Sequence, residues 1–220
     1  MIVVIPTMYL NHLDNFFENY ESIDLTHVEK IILFNNSDKN YEVKFKKFHI
    51  LNLGENIGVN AVWNHGLKIA EVNNSDLMLL NDDVLFKPNF FSKTFQALEE
   101  NRHFAVVCPF TMRTREDFNL GFNPDIEPRY SMMRKRNGWC FTINKSFIPK
   151  IKLIPKEMEI FFGDDWIWHF TRQLWVRDNR NIIYHQVGKT MAKNKELRAK
   201  YHNDKTHYKA VLEKIKSENT

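Results

Sequence analysis

The chain has 220 residues, 43% of them hydrophobic and 26% charged, with a formal net charge of +4. That length suffices for one domain with a sizeable core, and the balance is globular rather than disordered. No apolar run approaches the roughly 18 residues of a membrane span. The N-terminus lacks the basic start and long apolar region of a signal peptide, and the positive excess is too small and scattered to argue for nucleic acid. Much of that excess lies between Arg113 and Arg136 and in the tail from Lys189. It would attract an anionic donor, an anionic acceptor or a membrane surface, although the tail reads first as solvated lysines. Cys108 and Cys140 both sit in apolar runs, as small core residues rather than disulfide or metal ligands. A reduced, cytoplasmic setting fits, meaning the host cytoplasm if the chain is viral.

Short apolar runs alternate with amphipathic stretches, the pattern of βα units around a mainly parallel sheet. Met1 to Pro6 reads as a buried strand and Tyr9 to Tyr20 as a helix. Lys30 to Phe34 is a second strand ending in Asn35-Asn36-Ser37, and Phe48 to Leu51 a third. The turn-rich segment Asn52 to Gly58 precedes the clearest helix, with Val59, Val62, Trp63, Gly66, Leu67 and Ala70 at helical spacing. Asp76 to Leu80 is a fourth strand, with Asn81-Asp82-Asp83 at its end. Pro88 suits the first turn of a helix carrying Phe90, Phe91, Thr94, Phe95 and Leu98, and Phe104 to Cys108 is a fifth strand. Residues 109–137 are polar, rich in Arg, Pro and Asn, and without periodicity, so they read as a long functional loop. Gly138 to Ile143 restores order. Asp164-Asp165 then opens a helix with Ile167, Phe170, Thr171 and Leu174 on one face. Asn181 to Tyr184 is a last strand, followed by His185, and a basic, helix-prone tail begins near Ala192.

In open parallel sheets, ligands bind beyond the carboxyl ends of the strands. Here those ends carry Pro6-Thr7, Asn35-Asn36-Ser37, Asn56 with Gly58, and Asn81-Asp82-Asp83. Two adjacent acids after an apolar strand suit a hard cation such as Mg²⁺ or Mn²⁺, and equally a turn that caps the next helix. The Asp164-Asp165 pair fits the favourable field of a helix N-terminus and also a general base for a hydroxyl. His185 reads either as a structural hydrogen-bonding group or as an imidazole completing a metal site with Asp83.

Taken in order, Val4-Ile-Pro-Thr7, Leu33-Phe-Asn-Asn36, Asn56 through Leu67, Leu79 through Val84, Gly138 through Ile143, Phe162-Gly-Asp-Asp165 and Tyr184 through Gly188 resemble the family-two inverting glycosyltransferases of the GT-A fold. The resemblance spans about residues 2 to 190. It implies a single α/β domain over 1–190, with a nucleotide-binding half (1–108) and an acceptor and catalytic half (109–190), followed by a basic helical tail (191–220). By the same resemblance Pro6, Thr7, Asn35 and Asn36 would line the base pocket, and Asn56, Gly58 and Asn64 would flank the nucleoside. Asn81 and Asp82 would face the ribose or donor sugar, and Asp83 with His185 would hold Mn²⁺ or Mg²⁺. Asp165 would be the catalytic base, with Asp164 beside it where relatives usually carry Glu. Two departures stand out. Asn35-Asn36 replaces an acid that many relatives place against uracil, and Trp166-Ile-Trp-His-Phe replaces a further acid and an arginine.

The implied activity is metal-dependent transfer of a sugar, with inversion, from a nucleoside-diphosphate sugar to a hydroxyl acceptor. A UDP-sugar is the favoured donor, and a glycan or cell-surface polysaccharide the expected acceptor. The arginines of 109–137 (113, 115, 129, 134 and 136) would meet a phosphate or an acidic sugar. A nucleotidyltransferase is the alternative enzyme class, but Pro6-Thr7-Met8-Tyr9 lacks the Gly and Lys that hold a triphosphate. A non-catalytic module that only binds a nucleotide sugar is the other alternative, which the retained Asp82, Asp83, Asp165 and His185 argue against.

Overall fold

The computed structural model describes residues 1–18, 20–42, 45–120, 128–171, 173–185 and 195–218. Strand β1 (Ile2–Thr7) is buried along its whole length, because it is covered on both faces. Ile2 and Val4 join one core, and Val3 and Ile5 the other. This is why it reads as a continuous apolar run rather than an alternating one. Its neighbours are β2 (Lys30–Asn35) and β4 (Leu77–Leu80), both parallel to it, and β3 (Phe48–Asn52) extends the parallel half beyond β2.

The other half of the sheet is mixed. Strand β8 (Cys140–Ile143) runs antiparallel to β4 and to β6 (Val106–Met112). Beyond β6 lies β9 (Trp175–His185), parallel to it, and β5 (Val84–Phe86) and β7 (Tyr130–Met132) each pair antiparallel with β9. The sheet order is β3-β2-β1-β4-β8-β6-β9-β5, with β7 also on β9. The parallel character expected from the sequence thus belongs to the first four strands in this order.

Helices cover both faces, as an α/β chain requires. One core packs α2 (Val59–Val72) and α5 (Gly163–Phe170) on the sheet through Val62, Trp63, Leu67, Trp166 and Ile167. Against it also lies α6 (Lys195–Glu218), through Tyr208, Val211 and Ile215. The opposite core holds α3 (Phe90–Glu100) through Phe90, Phe91, Ala97 and Leu98. It also holds the segment after β1, which is a 3-10 turn (Leu10–Leu13), α1 (Asp14–Glu18) and a second 3-10 turn (Tyr20–Ser22) instead of one continuous helix. Cys108 and Cys140 are free and buried.

Residues 109–137 are not a structureless loop. β6 continues through Pro109 to Met112, Thr114 caps α4 (Arg115–Asn119) by accepting from the Asp117 amide, and β7 follows. Residues 121–127 and 186–194 lie outside the described residues, and with them Gln186 to Gly188 and the start of the basic tail. No helix among the described residues is long and apolar enough to cross a membrane.

Candidate active site

The carboxyl ends of the parallel strands align in register, with Thr7 opposite Asn35 and Asn35 opposite Asn52. The Asn36 amide donates to the Thr7 carbonyl at 2.7 Å, and the Asn36 side-chain oxygen accepts from the Ile57 amide at 3.3 Å. Asn56 turns the chain by accepting from the Gly58 amide at 3.0 Å. Gly58 itself has φ +84°, and a Cβ there would lie 2.5 Å from the Glu159 carbonyl oxygen. Only glycine meets both demands. Pro6, Thr7, Asn36, Asn56 and Gly58 therefore share one rim with the turn after β4.

Two of the predicted donor-binding side chains are committed elsewhere. Asn35 is fully buried. Its amide nitrogen donates to the Lys39 carbonyl and to Asn52, while its oxygen accepts from Ser37. Asn64 lies about 9 Å along α2 from Gly58, at about 1.5 Å per residue. Its side chain exchanges two 2.8 Å hydrogen bonds with the Ile154 backbone. Both residues hold the frame that carries the rim.

At the end of β4 the Asn81 amide donates to the Trp139 carbonyl at 2.9 Å, which pins the turn to β8. Asp82 Oδ2 accepts from Thr7 Oγ1 at 2.5 Å and stands 3.3 Å from His12 Nδ1. Burial nevertheless holds the Asp82 carboxyl above the usual range, and these two partners only moderate the rise. Beside Asp82 opens a cavity of about 200 Å³ walled by His12, Phe16, Phe86, Lys87, Arg115 and Phe118. Asp83 points a different way, with Oδ1 3.2 Å from His185 Nε2. That meeting is built by β9. Its register slips between Pro109 and Phe110, so that Asp178 faces one and Ile182 the other. The bulge is packed with buried Asp178, Asn179 and Asn181. Bulges re-aim the strand beyond them, and here Val84 comes opposite His185. Trp139 stacks on the His185 ring at 5.0 Å and 9°.

The second carboxylate pair opens α5. Asp164 and Asp165 are 21% and 12% exposed at the side chain, and Arg136 reaches both. Its Nη2 bonds Asp165 Oδ1, and its Nε lies 3.9 Å from Asp164 Oδ2. Burial, then the neighbouring Asp165 charge, pushes the Asp164 carboxyl up to about 6 against the pull of Arg136. Asp165 is also raised by burial, with Arg136 opposing. The turn before α5 is tightly held. Gly163 approaches Asn60 and Trp63 so closely that a Cβ would sit 2.1 Å from Asn60 Oδ1. Asn60 Nδ2 donates to the Met158 and Phe161 carbonyls at 3.0 and 2.9 Å. Phe162 adopts left-handed φ +64° and stacks on Tyr208 of α6. Asp204, also on α6, is fully buried and accepts from the Ile160 and Phe161 amides at 3.0 and 2.9 Å.

The geometry thus gathers Thr7, Asn81, Asp82, Asp83 and His185 about one strand end, and Asp164 with Asp165 on the segment Arg136–Trp139 that also touches Asn81 and His185. Sequence reasoning left out His12, Asn60 and Asp204. Nothing in their spacing marks them, because each acts through tertiary contact.

The profile described as Glycosyl transferase family 2 matches residues 10–161. The chain belongs to glycosyl transferase family 2. The match spans the Asn81-Asp82-Asp83 turn and stops just short of the Asp164-Asp165 pair. No curated protein matches this family member in sequence. Solved structures share its fold at low identity. Residues 1–349 of TarS from S. aureus align with TM-score 0.58 and 10% identity over 84% of this chain and 60% of that one. GalNAc-T7, crystallised with UDP, GalNAc and Mn²⁺, aligns at 0.60 and 11% over 84% and 43%. The mannosyltransferase PcManGT from Pyrobaculum calidifontis, in complex with GDP-Man and Mn²⁺, aligns at 0.57 and 12% over 86% and 57%. The present chain therefore spans roughly two fifths to three fifths of the length of these three.

Proposed function

We propose that this family-two domain transfers a sugar, with inversion at the anomeric carbon, from a nucleoside-diphosphate sugar to a hydroxyl acceptor on a glycan or cell-surface polysaccharide. The observation that carries the reading is the convergence of Asp82, Asp83 and His185 at the end of β4 with Asp164 and Asp165 alongside. A UDP-sugar is the favoured donor. UDP accompanies TarS and GalNAc-T7 in their structures, and GDP-Man accompanies PcManGT.

A divalent cation fits the donor set. Asp83 offers a carboxylate oxygen within 3.2 Å of the His185 imidazole nitrogen. No group of three or more such ligands occurs among the described residues, so donor phosphate oxygens and water would complete the shell. Mg²⁺ and Mn²⁺ accept that arrangement. When bound, the cation would supply Lewis-acid stabilisation of charge on the departing phosphate.

The residues of the chain do the rest. Pro6, Thr7, Asn36, Asn56 and Gly58 border the nucleoside, and Asn81 and Asp82 face the ribose or the sugar. Thr7 and His12 hold the Asp82 carboxylate in one orientation. The acceptor oxygen forms its bond to the anomeric carbon as the bond from that carbon to the phosphate oxygen breaks. The electron pair leaves with the nucleoside diphosphate. The acceptor proton passes to Asp165, whose raised affinity for protons suits a general base.

Calorimetric titration with UDP, with and without Mn²⁺, tests the division of labour. Asp83→Ala should lose the metal-dependent part of the affinity, while Asp165→Asn should keep it and lose about 10²–10⁴-fold in turnover. Unchanged metal-dependent binding in Asp83→Ala, or full turnover in Asp165→Asn, would overturn the assignment concerned.

A further inference from the structure

Arg136 sits on the link between β7 and β8, 41% exposed, with its guanidinium on the carboxylate read above as the base. A carboxylate that accepts a guanidinium hydrogen bond is a poorer proton acceptor, because that charge-assisted bond is lost when the proton arrives. The resting contact therefore opposes the reaction that the site is otherwise built for. The backbone around Arg136 is anchored. Met133 donates to the Trp175 carbonyl at 3.0 Å, Asn137 is buried and reaches Thr111, and Gly138 lies so close to Asp164 that a Cβ would be 2.9 Å from its Oδ2. Only the long side chain is left to swing; its own end of the pair is 41% exposed while Asp165 is only 12% exposed, so the guanidinium leaves at little cost only when another anion takes it up. Arg134 and Lys135 stand beside it, exposed and without an ion pair among the described residues. Three consecutive cations thus lie on the segment whose Arg136 meets the two carboxylates, so the local balance favours one more anion.

We propose that Arg136 is a substrate-displaced latch on Asp165. It occupies the base while no acceptor is present, and it turns to an anionic group, phosphate or carboxylate, carried by the acceptor when the hydroxyl arrives. This rests on the reading of Asp165 as the base. The latch gives the domain selectivity for an acidic acceptor and slows wasteful attack of water on the donor. The acceptor proton goes to the freed Asp165 oxygen, and Arg136 keeps its own protons throughout.

The test has two independent readouts. Glucose 6-phosphate, glucuronate and glucose are titrated against the wild-type protein and Arg136→Gln, with tryptophan fluorescence as the signal. The wild type should bind one or both anionic sugars about tenfold or more tightly than glucose, as a charged hydrogen bond allows. Arg136→Gln should lose that preference, and Arg136→Lys should recover part of it. Preference for glucose 6-phosphate alone would assign phosphate, and for glucuronate alone carboxylate. Separately, release of nucleotide to water without acceptor should rise severalfold in Arg136→Gln. Equal wild-type affinity for all three sugars, a preference that survives in Arg136→Gln, or hydrolysis that falls in that variant would overturn the latch. Absence of nucleotide release from any donor by the wild type would instead strike at the transferase reading, and the binding arm would still decide whether Arg136 is an anion contact.

Discussion

Replacing Asp204 with alanine tests how α6 supports the Asp164-Asp165 pair. Asp204 is fully buried, and one of its oxygens accepts from two successive amides, Ile160 and Phe161. Hydrogen bonds to a charged group contribute about 1.5–3 kcal/mol each. Both amides are only partly buried, so water would recover some of the loss, and the low end applies. That gives about 3 kcal/mol in total, a large share of the roughly 5–15 kcal/mol that holds a domain together. At about 2–4 °C per kcal/mol for a chain of this size, Tm should fall by about 6–12 °C. The segment so released carries Phe162 in its left-handed conformation and leads directly into Asp164 and Asp165. With Asp165 in its proposed role, turnover should therefore fall further than the folded fraction alone explains, since small misplacements of a base cost rate steeply. Urea and thermal unfolding followed by circular dichroism, with nucleotide release measured in parallel, give both quantities. A Tm shift below about 2 °C would show that α6 does not anchor this segment through Asp204.

Gly163→Ala would place a Cβ 2.1 Å from Asn60 Oδ1 and 2.9 Å from the Trp63 ring. Overpacking of this kind costs about 1–3 kcal/mol, and because it pushes on the first turn of α5 it should lower turnover more than donor affinity; a variant with wild-type Tm and rate would contradict this packing. Asp164→Asn addresses pH. The Asp164 carboxyl is raised from 3.8 to about 6, so between those values the folded state holds more proton than the unfolded state and stability falls as pH rises. The full span corresponds to at most about 3 kcal/mol. Urea midpoints measured from about pH 4 to 7 should decline in the wild type and decline less in Asp164→Asn; parallel curves would refute it.

Much of the fold was legible because its signals are local. The β4 run and the acids that end it, the helical period of Val59 to Ala70, and the glycine turn before α2 each follow from neighbouring residues. The strands beyond β4 were harder. β7 is three residues long and pairs with β9 about 45 positions away, and α4 is five residues held by one cap, so neither leaves a period to read. The bulge in β9 that brings His185 to Asp83 depends on buried polar residues whose partners lie on other elements. Within the site, asparagine was an ambiguous letter. Asn36 and Asn56 shape the rim, whereas Asn35 spends its amide on Lys39, Asn52 and Ser37 and Asn64 on the Ile154 backbone. Asp204 looked like any acid in a basic helix until docking buried it. Arg136 was legible as a cation meant for an anion, but not that the Asp164-Asp165 pair would be its partner within the chain.

The proposed assignment has Asp83 and His185 prepare a nucleoside-diphosphate sugar for attack assisted by Asp165. Its most direct test is nucleotide release from a panel of UDP-, GDP-, CMP- and TDP-sugars, with and without Mn²⁺, by the wild type and by Asp165→Asn. The expected result is Mn²⁺-dependent release from one donor class by the wild type, falling by about 10²–10⁴-fold in Asp165→Asn. No release and no donor-induced rise in Tm with any sugar, or equal release by both proteins, would contradict it.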